Sequence, residues 1–372
     1  MAFTTEEMQI FRDEISRYAQ QHIVPATTPY ERPMDAQSMA RLVGELESMG
    51  VIPQIEDEPI GLWSDAGDVS TTALSLDLLR VLGIANAALA LVVHRKALTN
   101  WLLRETGLSP VNAGIALTVT GHYGLARSSL GKWLRSEACM TEEDASLLAD
   151  WLDRHEHESV IYTLPGFEQV LWPIWKSDAI QWQLIANDHL NVATQVAHGL
   201  DELDVFTAWN NAGVEGVSTD MPVERSRKIY ASVLKMELLG LTAIGLGVLE
   251  RSSKLAIEFS SIRSQGGRLI REHPAVQIML SEICSVIKLV ERLLHSFQSS
   301  SVDVAELADV ASLRFTSSDP LVHACHQVIQ IHGGIGYMRD AGPEKYVRDQ
   351  NMLQLSSGGI SGLPLFIHGV EQ

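Results

Sequence analysis

The chain has 372 residues, with 28 Lys or Arg against 46 Asp or Glu, a formal net charge of −18 at pH 7. That charge repels phosphate backbones and anionic lipid surfaces, which argues against nucleic acid or a membrane as a partner. At 46% hydrophobic and 20% charged residues, the chain reads as neither disordered nor a membrane bundle, and it is long enough for two or three packed units.

The first third reads helical. Thr4 to Glu7 matches a T-x-x-E capping box, and Met8, Phe11, Ile15, Tyr18 and Ala19 follow at helical spacing up to Pro25. A second helix is expected from Asp35 through Met49, with Gly50 just beyond its end. The stretch from Ile52 to Asp68 holds Pro53, Pro59, Gly61 and Gly67 and reads as a loop. Helical pattern returns over 71–105 and 112–135, and Thr141 with Asp144 marks another helix start.

The middle changes character. Segments 159–164, 180–186, 190–196 and 203–209 are short, rich in β-branched and aromatic residues, and bounded by Pro, Gly, Asn and Asp. Ile180, Trp182 and Leu184 alternate with Gln181 and Gln183, the pattern of a half-buried strand. These segments predict a small antiparallel β unit. From Pro222 to about Phe297, and again over 303–333, the chain reads helical. The expectation is an α+β protein in three regions: 1–120 helical, 121–220 β-rich, and 221–372 a helical bundle.

Three scattered cysteines, Cys139, Cys284 and Cys325, form no C-x-x-C pair and read as reduced thiols of a cytoplasmic protein. The N-terminal stretch carries Glu6 and Glu7 and no apolar region of the kind a signal peptide needs. The longest uncharged apolar run, Leu238 to Leu249, is the length of a buried core helix rather than a membrane span.

The specific signal lies at 325–349. Gln330-Ile331-His332-Gly333-Gly334-Ile335-Gly336-Tyr337 precedes Arg339-Asp340, Glu344-Lys345 and Arg348-Asp349. Glycines so placed after a helix allow a tight turn and close approach of backbone to another group. Upstream lies Arg263-Ser264-Gln265-Gly266-Gly267-Arg268, followed by Ala275-Val276-Gln277. Together these strings resemble the acyl-CoA dehydrogenase family, whose last domain carries R-x-Q-F-G-[RK], Q-x-x-G-G-x-G-[YF] and E-[RK]-x-x-R-D in that order.

The resemblance implies an N-terminal helical domain, a small middle β domain and a C-terminal four-helix bundle. It implies FAD-dependent α,β-dehydrogenation of an acyl-CoA thioester, in which a carboxylate removes the α-proton while a hydride leaves the β-carbon for the flavin. Arg263 would reach the FAD pyrophosphate across a subunit interface, with Gln265 beside it, and Gln330, Gly333 and Gly334 would border the adenosine part. Electron transfer flavoprotein is the implied acceptor, and a dimer or tetramer through the last domain the implied assembly.

The departures matter as much. Ser357 stands where the usual catalytic glutamate is expected, and a hydroxyl is far too weak a base for α-proton abstraction. A minority of the family carries its base on the long preceding helix, and ungapped alignment puts Glu237 there. Its helical neighbours Val233, Leu234, Leu241 and Ile244 are apolar, so desolvation is expected to raise its pKa towards the range of a general base. Gly266 replaces a phenylalanine that packs on the cofactor. The flavin-lining stretches of the middle domain have no clear counterpart beyond Tyr162 to Gly166 and Trp209-Asn210-Asn211. The first reading is an FAD-dependent acyl-CoA dehydrogenase with Glu237 as base; the alternatives are a non-catalytic partner of a catalytic paralogue sharing FAD at the interface, and a scaffold binding neither. His94 beside Arg95 and Lys96 reads as an ordinary helix face, and His323, His326 and His332 as helix-surface histidines rather than metal ligands.

Overall fold

The computed structural model describes residues 5–55, 61–65, 69–110, 114–118, 123–126, 128–136, 140–152, 159–210 except 197, 216–297 and 304–371. Thr4 of the expected capping box and Cys139 lie outside the described residues. The N-terminal layer holds α1 (Thr5–Tyr18), α2 (Val24–Thr27), α3 (Ala36–Ser48), α4 (Val69–Ala85) and α5 (Ala87–Thr106). Pro25 does not end the first helical segment. A π-helical turn over Ala19–Ile23 precedes it, in which the Val24 N–H reaches back to the Ala19 carbonyl, and helix continues to Thr27. Such a widened turn absorbs the ring and the missing N–H of proline. The expected helix over 71–105 is two helices broken at Asn86, whose side chain caps α5 by accepting from the Leu89 N–H.

The middle region is built from β1 (Ile115–Leu117), α6 (Tyr123–Ala126), α7 (Ser129–Leu134), α8 (Glu142–Leu152), β2 (Ser159–Thr163), β3 (Gln169–Lys176), β4 (Ala179–Ala186), β5 (Leu190–Gln195), β6 (Asp204–Asn210) and β7 (Val217–Ser218). The expected helix over 112–135 is therefore a strand and two short helices. The strands form two sheets, β1-β3-β4-β7 and β2-β6-β5, and β1 pairs with β3 in parallel, so the unit is not wholly antiparallel. Sequence reading did not include β3, which contains Pro173. That residue lies beyond Leu171, the last β3 residue paired with β1, so among the described residues no ladder bond on that side needs its N–H. Ile161, Phe167, Val170, Trp172 and Ile185 fill the space between the sheets.

The C-terminal bundle comprises α9 (Val223–Ile262), a hairpin of β8 (Ser264–Gln265) and β9 (Arg268–Leu269), α10 (Pro274–Ser296), α11 (Val304–His332), α12 (Pro343–Leu355) and α13 (Gly359–Glu371). Helix α9 runs 40 residues, and nearly every side chain from Ile229 to Leu249 is buried. It is long and apolar enough to cross a bilayer by composition, and its most apolar 18-residue window is 100% buried within the fold. Its contact with α4 is close enough to need glycine on both sides. A Cβ on Gly83 would stand 2.5 Å from the Ile244 carbonyl, and one on Gly247 would stand 2.3 Å from the Arg80 carbonyl.

Candidate active site

Glu237 sits in the middle of α9 and is completely buried. Its apolar neighbours along the helix are real, yet the carboxylate does not face them. One oxygen accepts from Arg95 Nη2 at 2.7 Å and from Ser357 Oγ at 2.6 Å, and the other pairs with His94 Nε2 at 3.1 Å. Burial would raise its pKa, but Arg95, His94 and Ser357 outweigh burial and hold the carboxyl well below the usual range. The raised pKa expected from sequence is thus reversed by partners that lie far away in the chain.

Positions 237 and 357, the two at which the resemblance led us to expect a base, meet at that 2.6 Å contact. Ser357 is at φ 54°, a left-handed conformation that Gly358 (φ 96°) and Gly359 (φ 53°) continue, and this joint between α12 and α13 aims the hydroxyl at α9. Gly358 is pressed onto Tyr123, where a Cβ would lie 2.5 Å from the ring. The Tyr123 hydroxyl is buried without a hydrogen-bond partner among the described residues.

His94 belongs to this centre, not to an ordinary helix face. It is fully buried, and Trp63 Nε1 donates to its Nδ1 at 3.0 Å. Indole is donor only, so Nδ1 must accept, and the ring is the neutral tautomer that offers Nε2–H to Glu237. Trp63 holds φ 58°, rare for a bulky residue, and the Ser75 hydroxyl accepts from its backbone N–H at 2.9 Å. Gly240 makes room for the imidazole, since a Cβ there would fall 2.3 Å from the ring. On the other side the Arg95 guanidinium lies 6.0 Å from the ring centroid of Tyr162 in β2, so the ion pair sits at the seam between bundle and sheets. Sequence offered a signal for this pair: two titratable residues ending the apolar run Ala87 to Val93.

The E-K-x-x-R-D string closes a second junction. Arg348 pairs with Glu344 and Asp201 at 2.6 Å each, and Lys345 lies 3.1 Å from both Glu202 and Asp349. Asp349 also accepts from the Leu200 N–H at 2.7 Å. The string therefore clasps the chain just before β6 onto α12, and none of these side chains faces an open site.

The proposed cofactor residues sit elsewhere, at the far end of the bundle. Arg263 follows α9 directly and is exposed, and its guanidinium has no hydrogen bond or ion pair among the described residues. Gln265 is exposed on the β8–β9 hairpin, whose two-residue turn is Gly266 (φ 61°) and Gly267 (φ 81°). A tight turn with both residues at positive φ explains glycine in place of the family's phenylalanine. Gln330, Gly333 and Gly334 are exposed, and a Cβ on either glycine would meet nothing within 4 Å. Phe259 near the end of α9 stacks on His332 at 4.4 Å between centroids, which fixes the GG turn beside the hairpin. His332 is thus buried, with Nδ1 2.8 Å from the Val328 carbonyl, while His323 and His326 are exposed as expected. Among the described residues no group of three or more His, Cys, Asp or Glu could hold a metal ion.

These outward donors fit a dinucleotide pyrophosphate: a planar, permanently charged guanidinium without a carboxylate partner, next to open glycine backbone. The seam next to Glu237 is different. There Arg95 lies over the Tyr162 ring, and Trp63 packs edge-on against His94. Trp209 to Asn211, the other flavin-lining counterpart weighed, falls at and beyond the end of β6, where the side chains lie outside the described residues.

Residues 227–360 match the acyl-CoA dehydrogenase C-terminal domain. The chain is 22% identical to the probable acyl-CoA dehydrogenase YngJ of Bacillus subtilis (strain 168), over 95% of each. A shorter match, 24% identical over 36% of this chain and 35% of the relative, is to the caffeyl-CoA reductase-Etf complex subunit CarC of Acetobacterium woodii. In fold the chain is similar to butyryl-CoA dehydrogenase from Megasphaera elsdenii, with a TM-score of 0.70 at 16% identity over 100% of both chains.

Proposed function

The chain belongs to the acyl-CoA dehydrogenase family, and on that premise we propose that it is a flavin-sharing, non-catalytic subunit of a hetero-oligomeric acyl-CoA dehydrogenase. The observation that carries this reading is the state of Glu237. The one carboxylate at the family's base positions is fully buried, charge-paired with Arg95, and hydrogen-bonded on both oxygens. A carboxylate held so far below its usual pKa is a weak proton acceptor, and a base must reach the proton it removes.

The far end of the bundle supports the other half of the proposal. Arg263 and Gln265 would hold the FAD pyrophosphate, and Gln330, Gly333 and Gly334 would border its adenosine, at a face completed by a catalytic paralogue. When bound, FAD supplies the hydride acceptor for dehydrogenation of an acyl thioester held by that paralogue. The similarity to a relative named as part of an Etf complex supports electron transfer flavoprotein as acceptor.

A second reading keeps a specific observation in its favour. Positions 237 and 357 converge, so Glu237 stands where a self-sufficient enzyme would need its base. Only its second oxygen, which faces His94, has an unused lone pair, and a proton would have to arrive there.

Visible absorbance separates the two. Purified alone, the chain is expected to carry less than one flavin, and co-expressed with a catalytic paralogue it yields a yellow complex. Arg263→Ala should deplete flavin from that complex, whereas Glu237→Gln, assayed at a temperature where the variant complex stays folded, should leave turnover of acyl-CoA per bound flavin unchanged. A chain that is fully yellow alone, turns over acyl-CoA and loses that activity in Glu237→Gln is instead the enzyme.

A further inference from the structure

Trp63 and His94 lie at the edge of the Glu237 cluster, and the flavin-sharing role does not use them. The indole Nε1–H donates to His94 Nδ1 at 3.0 Å, and both side chains are buried. An indole nitrogen can only donate. A protonated imidazole carries N–H on both nitrogens, so two donors would then face each other across that contact. Proton uptake at His94 and the Trp63 hydrogen bond therefore exclude one another.

The packing decides which group yields. The imidazole is set hard against α9, where a Cβ on Gly240 would fall 2.3 Å from the ring, so it cannot draw back. Trp63 is held less firmly. Its backbone at φ 58° is a conformation that disfavours bulky side chains, and its N–H is tied to the Ser75 hydroxyl at 2.9 Å. Release of the indole lets that strain relax.

An anion is already in place for the added charge. Glu237 on α9 lies 3.1 Å from His94 Nε2, and although burial opposes ionisation, Arg95, His94 and Ser357 keep that carboxylate ionised. Arg314 on α11 and Tyr123 on α6 also act on Glu237. Lys96, next to Arg95 on α5, is bound to Glu47 on α3, and Asp65 on the Trp63 segment acts on Arg104. Two things oppose a proton on His94: the Arg95 charge on the same carboxylate, and the indole bond.

We propose that Trp63 and His94 form a proton-operated latch: one proton taken up at His94 Nδ1 breaks the indole hydrogen bond and releases Trp63 from the core. The latched state holds one proton fewer, so falling pH favours release and rising pH restores the latch. The proton comes from solvent and resides on the imidazole, with Glu237 as its counter-charge. Release uncovers His94 and opens the way to the Glu237 oxygen that faces it. The latch holds under either reading of Glu237.

NMR of the full-length chain with 15N-labelled indoles, titrated from about pH 8 to about pH 5, tests this without flavin or a second subunit, so its outcome is independent of the proposed function. The Trp63 signal is identified by its absence in Trp63→Phe. On acidification the wild type should lose the latched Trp63 signal and gain a solvent-exchanging one, reversibly and with far-UV circular dichroism unchanged. His94→Asn keeps an acceptor for the indole but does not titrate, and should hold the latched signal throughout. If that variant does not fold, Ser75→Ala, which frees the Trp63 N–H, should move the transition to higher pH. The latch is overturned if the wild-type Trp63 signal stays in place throughout, or is lost only together with the circular dichroism. It is equally overturned if His94→Asn or Ser75→Ala titrates as the wild type does.

Discussion

Glu237 illustrates how one side chain's chemistry is set by its partners. Three donors converge on it, and a glutamine in its place offers a single oxygen. Glu237→Gln therefore leaves a buried donor unmatched and the Arg95 charge uncompensated, at an expected cost of about 3–5 kcal/mol, readable by urea unfolding. The sign of the pH effect follows from the lowered pKa. Glu237 adds stability at pH values above the ordinary glutamate range and withdraws it as pH falls through the folded-state value. Acid titration should destabilise the wild type, and Glu237→Gln should lose that part of the slope. The two described cysteines differ in the same way. Burial pushes the Cys325 thiol up to about 12, and Cys284 is exposed. Thiol reagents followed by mass spectrometry should modify Cys284 and spare Cys325 in the native protein. None of this was legible from residue type. The apolar stripe around Glu237 was correctly read along α9, but Arg95 and His94 lie 142 and 143 residues away in the chain.

Helices and strands were legible where one signal dominated. α3 begins at its Asp35 cap, and α8 follows the Thr141–Asp144 signal. β4 follows its alternation. The failures came where a breaker and its surroundings compete: Pro25 tolerated after a π turn, and Pro173 tolerated where β3 has no neighbour on that side among the described residues. The E-K-x-x-R-D string was read as a family signature, and the structure gives it a mechanical task. Lys345→Met would leave Glu202 and Asp349 buried together with no cation, and a cost of about 3–5 kcal/mol is expected. Hydrogen exchange should show the segment before β6 opening first. The α4–α9 crossing makes a sharper demand. Gly247→Ala puts a methyl onto backbone of α4, which cannot yield as a side chain would, and should lower stability by about 3 kcal/mol or more in thermal melting.

The molecule as assembled turns two faces to two tasks. Its interior is closed around Glu237, while one end of the bundle presents Arg263, Gln265 and the GG turn outward. Helix α10 beside them is apolar on its outer side, with Ile278 58% and Leu289 55% exposed. A face of that kind is expected to be covered by another chain. Ile278→Arg should therefore prevent association with a catalytic paralogue in light scattering and leave the Tm of the isolated chain unchanged. No stretch of sequence shows which parts of a motif face inward. Lys345 and Asp349 of the E-K-x-x-R-D string and the GG turn lie within 20 residues of each other, yet the first two are buried and the turn is open.

Local patterns carried the fold class, the helical ends and the family, because periodicity, caps and glycine turns act over a few residues and leave their mark in the order of the chain. The tertiary structure alone decided which carboxylate is paired, which tautomer His94 holds, and that Arg314 is buried with a carbonyl but no carboxylate bonded to it among the described residues. Those properties depend on charges and donors brought together from distant segments, and electrostatics in a dry core is set by distance in space rather than by separation along the chain.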